Sequence, residues 1–209
     1  MLRLIHMSIT KKLFIIMAIM AVLITTELVA LSFTIKILSA VRAYVGGEGL
    51  WSKAQKNGIH YLIKYAYTHN EKDYQRYLDF MKIPLSDHQA RLALSKEPID
   101  YNNARLGFLG GDIHKDDIDG IIWLFYRFNH IYYINKAIKI WAQGDELISE
   151  LMQQGNKLHQ SILIDHATSI DITKQLANIE RLNDELTQVE NDFSYTLGQA
   201  SRWLENIIF

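Results

Sequence analysis

Eight histidines are the first residues that could do chemistry: His6, His60, His69, His88, His114, His130, His159 and His166. A zinc site needs ligands whose spacing turns them to one point, such as two histidines four apart on a helix with a glutamate beside the first. That pattern is absent. His159 and His166 are seven apart and share a helix face. Two helical turns are too far for one zinc without further ligands. The expectation is a mixture of surface and core histidines, with no metal. There are no cysteines, so thiolate sites, disulfides and a cysteine nucleophile are excluded.

Acids cluster between Gly110 and Gly120, which read GGDIHKDDIDG. A calcium loop starting at Asp112 would need glycine at its sixth position and glutamate at its twelfth. Those positions hold Asp117 and Trp123. The pattern reads instead as a glycine C-cap followed by acids at the positive N-terminus of the next helix. No phosphate-binding loop, serine elbow or kinase motif occurs. The chain is therefore expected to have no catalytic residues, no cofactor and no enzymatic activity of its own.

Aromatic residues are the remaining chemical resource: 11 tyrosines, 8 phenylalanines and 4 tryptophans. Tyr61, Tyr65, Trp123, Arg127, His130 and Trp141 could line a small-ligand pocket between helices. The same spacing also suits core filler whose hydroxyls reach the surface.

These residues need helices to position them. The chain has 209 residues, 49% hydrophobic and 22% charged, with only two prolines. Few helix breakers favour an all-α chain. The net charge of -1 argues against a nucleic-acid partner. Leu13 to Ile35 is an apolar run of 23 residues with a single charge, Glu27. At 1.5 Å per residue it spans about 34 Å, enough for a hydrocarbon core of roughly 30 Å. It is too long for a signal-peptide core, and no convincing cleavage site follows, Leu38-Ser39-Ala40 being weak. An uncleaved transmembrane helix over 13–38 is expected, with residues 1–12 as a cytoplasmic N-terminus. Arg3, Lys11 and Lys12 before it outnumber Lys36 and Arg42 after it, three to two, which favours that orientation. Glu27 is read as off-centre, snorkelling or protonated; the other reading is that it joins two anchors.

Helical periodicity continues through Trp51, Ala54, Gly58, Tyr61, Leu62, Tyr65 and Ala66. Asn70 stands as an N-cap with Asp73 three residues on, followed by the stripe Tyr74, Tyr77, Leu78 and Met81. Pro84 and Ser86 are expected to open a short helix to about Leu94, and Pro98 another ending at Gly110-Gly111. Asp116 and Asp117 begin a helix with the buried face Ile118, Ile121, Ile122, Phe125, Phe128 and Tyr132. Leu147, Leu151, Leu158 and Ile162 mark a further amphipathic stretch toward Asp165. Leu182, Leu186, Val189, Phe193, Thr196, Ala200, Trp203 and Ile207 form a heptad seam on the last helix. The predicted fold is all-α: an N-terminal transmembrane helix followed by an antiparallel helical bundle over 39–205. Asn206 to Phe209 read as the start of a second membrane helix, cut off.

The stretch Val41 to Gln55, VRAYVGGEGLWSKAQ, resembles the segment after the first transmembrane helix in many bacterial membrane-bound signalling proteins. These are sensor histidine kinases and proteins with diguanylate cyclase or phosphodiesterase outputs. Similar pieces follow in order at 60–67, 77–84, 110–128, 137–145 and 195–204. Gly110-Gly111-Asp112 also has the opening letters of a diguanylate cyclase signature. It continues Ile113-His114 between helical flanks and is read as coincidence. The resemblance implies a periplasmic helical sensor domain in the inner membrane, feeding a two-component or cyclic-di-GMP output that this chain lacks. It implies a likeness to proteins that pair as homodimers, and a small-molecule or protein stimulus in the periplasm. Arg42, Gly46, Gly47, Gly49, Trp51 and Trp203 are candidates for a signal-coupling joint. The glycines either soften the helix or admit close packing against Trp203 and Leu204. The alternative function is a structural or adaptor protein that docks another envelope protein.

Overall fold

The computed structural model describes residues 8–163 and 169–208. Every regular element among them is a helix. The chain divides between Leu38 and Ser39 into two compact units.

The first helix, α1 (Ile9–Thr68), runs without a break through the apolar stretch and through Gly46, Gly47 and Gly49. It is long and apolar enough to cross a membrane. Phe14, Met17, Leu23, Val29 and their apolar neighbours are exposed, as a lipid-facing helix requires. Thr25, Thr26 and Thr34 turn their hydroxyls back to the carbonyls four residues earlier, which hides these polar groups from an apolar surrounding.

In the second unit, α2 (Glu71–Leu94) starts on Asn70, whose side chain accepts from the Lys72 amide. His69, at φ 52°, makes the turn from α1. Asp73 does not close a capping box. Its carboxylate accepts from Lys64 Nζ at 2.9 Å and Thr68 Oγ1 at 3.0 Å. The expected helix start at Pro84 is also corrected: Pro84 lies inside α2. An interior proline costs about 3 kcal/mol. Tyr74, Tyr77, Met81, Pro84, Asp87, Ala90 and Leu94 keep helical register straight through it, all buried. Packing on both sides of the proline outweighs the lost backbone bond.

Helix α3 (Tyr101–Gly110) is capped by Asp100, which accepts from the Asn103 amide. Gly111 is its C-cap, but the left-handed residue is Asp112, at φ 65°, where a glycine was expected. The helix thus ends at Gly110-Gly111 as the sequence suggests, and a third glycine, Gly107, serves close packing. A Cβ on Gly107 would sit 2.5 Å from the Ala90 amide nitrogen of α2. Helix α4 (Lys115–Phe128) opens on His114 with Asp116 and Asp117 in its first turn. Its buried face is Ile118, Ile121, Ile122, Leu124 and Phe125; Phe128 is half-buried. Tyr132 is not part of that face. It is exposed and starts α5 (Tyr132–Leu163), because the chain turns at Asn129 and His130.

Helices α5 and α6 (Ser169–Ile208) pair along their lengths. Gln175 meets Ser161, Arg181 meets Glu150, and Phe193 and Leu197 join Ala137 and Ile140. Residue numbers rise on one helix as they fall on the other. The seam residues Leu182, Leu186, Phe193, Thr196 and Ala200 are buried, and Val189 and Trp203 half-buried. The seam position Ile207 and the expected second-span start at 206–208 fall on side chains outside the described residues, as do Leu204, Phe209, His6, Arg3, Asp165 and His166.

Candidate functional site

Three clusters of buried residues fill the second unit. One gathers Leu62, Tyr65, Tyr74, Tyr77, Met81, Leu151, Leu158, Ile179 and Leu182. Each buried leucine or isoleucine there contributes about 1.5–3 kcal/mol. The tyrosine hydroxyls of this core are matched, while Gln55 has no partner among the described residues at either side-chain amide atom. Tyr77 donates to the Leu151 carbonyl at 3.1 Å, and Tyr74 to Asn156 Oδ1 at 2.8 Å. His159 stacks on Tyr74 at 3.8 Å between ring centroids, and its Nδ1 lies 2.8 Å from the Tyr65 hydroxyl. Burial raises the Tyr65 hydroxyl to about 12.

Residues from all three clusters line a cavity of about 60 Å³, Trp51 from the first, Phe108, Ile113 and Ile121 from the second and Phe193 from the third. One water-sized group needs about 10–15 Å³, so several fit. Helix α1 supplies Tyr44, Gly47, Glu48 and Trp51, on one face by helical spacing. Asp87 comes from α2, Phe108 from α3 and Ile121 from α4, with Ile113 from the turn between them. Trp141 and Gly144 of α5 and Val189, Glu190 and Phe193 of α6 close it. Tyr44 is central to the walls: its ring lies edge-on to Trp141 at 6.1 Å and stacks with Phe193 at 6.3 Å.

Three of the lining residues carry carboxyl groups, although the surface they present to the cavity is almost wholly apolar. Glu48 accepts from Ser194 Oγ at 3.0 Å, and burial raises its pKa above the usual range. Glu190 is 6% exposed; Oε2 meets Lys56 Nζ at 2.9 Å, and Oε1 has no partner among the described residues. Asp87 is 5% exposed, and its Oδ1 has no hydrogen-bond partner among them. Burial, and then the charge of Asp145, push its pKa well above the usual carboxylate range. The Trp51 indole N–H is likewise unmatched among the described residues. Buried polar atoms normally find partners, so a group of unmatched ones beside a cavity is a departure from the ordinary pattern. Asp145, just behind, is held by Arg91, with His88 Nδ1 at 2.9 Å.

Of the candidates read from the sequence, Gly47, Trp51 and Trp141 meet at this cavity. Arg42 is exposed and reaches Asp117 at 3.5 Å. Gly46 and Gly49 face open space, while a Cβ on Gly47 would meet Ile113 Cδ1 at 3.0 Å. Trp203 neighbours Tyr133 at 6.2 Å. Tyr61 stacks on Phe80 at 5.7 Å and accepts from Arg76. Tyr65 belongs to the closed core, Trp123 packs edge-on to Phe128 at 5.5 Å, and Arg127 and His130 are exposed. The pocket drawn from the sequence is therefore dispersed, apart from Trp141. Sequence reading passed over Tyr44, Glu48, Asp87 and Glu190. One signal was present: Tyr44, Glu48 and Trp51 recur at helical spacing, an acid flanked by aromatics on one face.

Among the described residues, no three His, Asp or Glu side chains come close enough to hold a metal ion. Comparison with protein-family models, curated proteins and solved structures finds no match to this chain.

Proposed function

We propose that this chain is the signal-input module of a bacterial transmembrane signalling protein. In this reading α1 spans the inner membrane and the second unit is an antiparallel helical bundle in the periplasm, paired with a second copy. A stimulus there shifts the bundle between two packings, and α1 carries the shift to a cytoplasmic output such as a kinase or a cyclic-di-GMP enzyme. The chain itself catalyses nothing. One observation supports this most: the same unbroken helix carries the apolar stretch and four residues of the cavity wall, Tyr44, Gly47, Glu48 and Trp51. A ligand can shift a two-state equilibrium only by its differential affinity for the two states. A wall shared with the spanning helix supplies a place for that difference to arise.

The test is the size of the native product, detected with an antibody against the second unit in the source membrane fraction. A band well above 24.2 kDa is expected. A band at 24.2 kDa would favour an adaptor that docks another envelope protein. In the longer product, Gly46→Ala with Gly49→Ala stiffens α1 without a steric clash, because both positions face open space. Altered output is expected; unchanged output would mean that α1 does not carry the signal through this segment.

A further inference from the structure

Outside the cavity, aromatic residues gather at one end of the second unit. Residue numbers rise together on α1 and α5: Tyr44 meets Trp141, and Tyr65 meets His159. Helix α6 runs back beside α5. The turn before α5, the last turn of α4 joined to it, and the last turns of α6 therefore lie at the end of the unit that begins at Ser39. Val41, Leu124, Ile134 and Ala200 line one small space there, which puts these four helices at one level. At this end Trp123 meets Phe128 at 5.5 Å, Tyr132 meets Tyr133 at 5.3 Å, and Tyr133 meets Trp203 at 6.2 Å. Tyr126 is 60% and Tyr132 68% exposed. Rings left in water forgo the burial that large apolar side chains normally find. The charge is one-sided as well. No acid stands between Asp119 and Asp145, while Arg127, His130, Lys136 and Lys139 do. All four are exposed, as is Arg202 on α6.

We propose that this end of the second unit docks on the lipid headgroup layer of the membrane. Rings with an apolar body and a polar edge settle at the boundary between hydrocarbon and headgroups, and cations beside them pair with the lipid phosphates. The distance fits. On the unbroken helix α1, Ser39 comes four residues after Ile35, the last residue of the apolar run, or about 6 Å at 1.5 Å per residue. A second copy of the chain could also cover an aromatic face. Protein interfaces are depleted of charge at their centres, however, and here cations stand among the rings, so the headgroup layer is the better match. Trp123, Arg127 and His130, which do not meet in a pocket, share this surface instead. With the turn held on the membrane, a shift of α1 becomes a movement against a fixed support. The proposal rests on the reading of α1 as a membrane span and deepens the signal-input reading.

The experiment uses the full chain in lipid nanodiscs. The chain has no cysteine, so a single introduced one carries a nitroxide label alone. Labels go on Tyr126→Cys and Tyr132→Cys at the turn, on Tyr67→Cys about 42 Å further along α1 than Ser39, and on Leu23→Cys inside the apolar run. All four positions are exposed, so the fold should be kept, and circular dichroism checks it. Electron-spin power saturation then compares oxygen, which enters lipid, with a neutral nickel chelate, which stays in water. Nickel access at Tyr126 and Tyr132 should fall several-fold below that at Tyr67, with oxygen access between the values at Tyr67 and Leu23. Discs containing phosphatidylglycerol should lower nickel access further than phosphatidylcholine alone, and Arg127→Gln with Lys136→Gln should remove that dependence. Nickel access at both turn positions equal to that at Tyr67 would overturn the proposal. Shielding from both reagents, with spin–spin broadening in discs holding two copies, would overturn it too, because a second copy would then cover the face. Turn labels indifferent to lipid charge would overturn the headgroup assignment. The Leu23 label tests the span by itself. Open to nickel, it ends the spanning reading; shut to nickel while the turn is open, it leaves that reading standing and ends this one.

Discussion

Asp73 and Asp87 both lie on the buried stripe of α2, at 4% and 5% exposure, yet they have opposite surroundings. Asp73 has Lys64 on one oxygen and Thr68 on the other. Asp87 lacks a partner at Oδ1 among the described residues and borders a cavity. The same split runs through the second unit. Around Tyr65, Tyr74 and Tyr77 the hydroxyls find carbonyl, amide and imidazole partners. Around Tyr44, Trp141 and Phe193 the rings are in contact and line a cavity together with the acid-bearing residues Glu48, Asp87 and Glu190. Unmatched atoms occur at both ends, Gln55 and Gln175 beside the tyrosine core as well as Asp87 and Glu190 at the cavity, so the difference lies in the tyrosine hydroxyls and in the cavity.

The largest effect should come from the closed end. Leu158 is fully buried in the tyrosine core. Leu158→Ala should cost about 2–5 kcal/mol through lost transfer energy and a new void. Urea unfolding of the full chain in nanodiscs, followed by helical circular dichroism, reads this loss. A cost under about 1 kcal/mol would show that this end collapses as readily as an unpacked one, and the contrast would break.

Two glycines on α5 sharpen the comparison. A Cβ on Gly155 would lie 2.6 Å from the Tyr77 hydroxyl and 2.7 Å from its ring, whereas one on Gly144 would meet Trp51 and Val189 at 3.5 Å. Gly155→Ala should therefore destabilise by about 1–3 kcal/mol through overpacking. Gly144→Ala should stabilise by up to about 1 kcal/mol, since the helix gains a better former and the contact is ordinary. Opposite signs in thermal unfolding support the division; the same sign at both positions removes it.

Much of the helical framework was legible in the residues, and the cavity was not. The cap at Asn70, the acids at Asp116 and Asp117, and the seam from Leu182 to Ala200 are local patterns with a local cause. Pro84 misled because its local cost is real, and only the stripe on both sides of it outweighs that cost. Asp87 sits in Leu85-Ser86-Asp87-His88-Gln89, which reads as a solvent face. Its burial is decided by Gly111 of the neighbouring turn, where a Cβ would lie 2.2 Å from the Asp87 carboxylate. Only the tertiary fold brings together acids from α1, α2 and α6.

The two aspartates also predict opposite pH responses. The Lys64 ammonium foremost, with the Thr68 hydroxyl, holds Asp73 below the usual carboxylate range. Its contribution is present above the unfolded value of about 3.9 and is lost as pH falls through the lower folded value. Asp87 is held high, so the folded chain keeps a proton that the unfolded chain releases. Stability falls as pH rises from about 3.9 through the folded value, and stays lower above it. The groups facing Asp87 are Tyr44 from α1, Asp145 from α5, His88 and Arg91 on α2, and Glu48 and Glu190 across the cavity. At neutral pH, Asp73→Asn should lower the melting temperature and Asp87→Asn should raise it. A fall in both would mean that Asp87 has a partner in solution.

The smallest effect is expected on the surface pair. Arg42 and Asp117 approach at 3.5 Å, with the arginine side chain 75% exposed. Water and salt screen such a pair, and fixing two side chains costs entropy, so Arg42→Ala should shift stability by only about 0.2–1 kcal/mol. Its use lies in what it separates. Arg42 is on α1 two residues before Tyr44, and Asp117 opens the helix that carries Ile121 of the cavity wall. If the small effect of Arg42→Ala on thermal unfolding fades as salt rises, the pair acts through screened charge. If stability stays fixed at every salt concentration, the pair adds nothing to the bundle, and the contrast with the tyrosine end is one of interior residues alone.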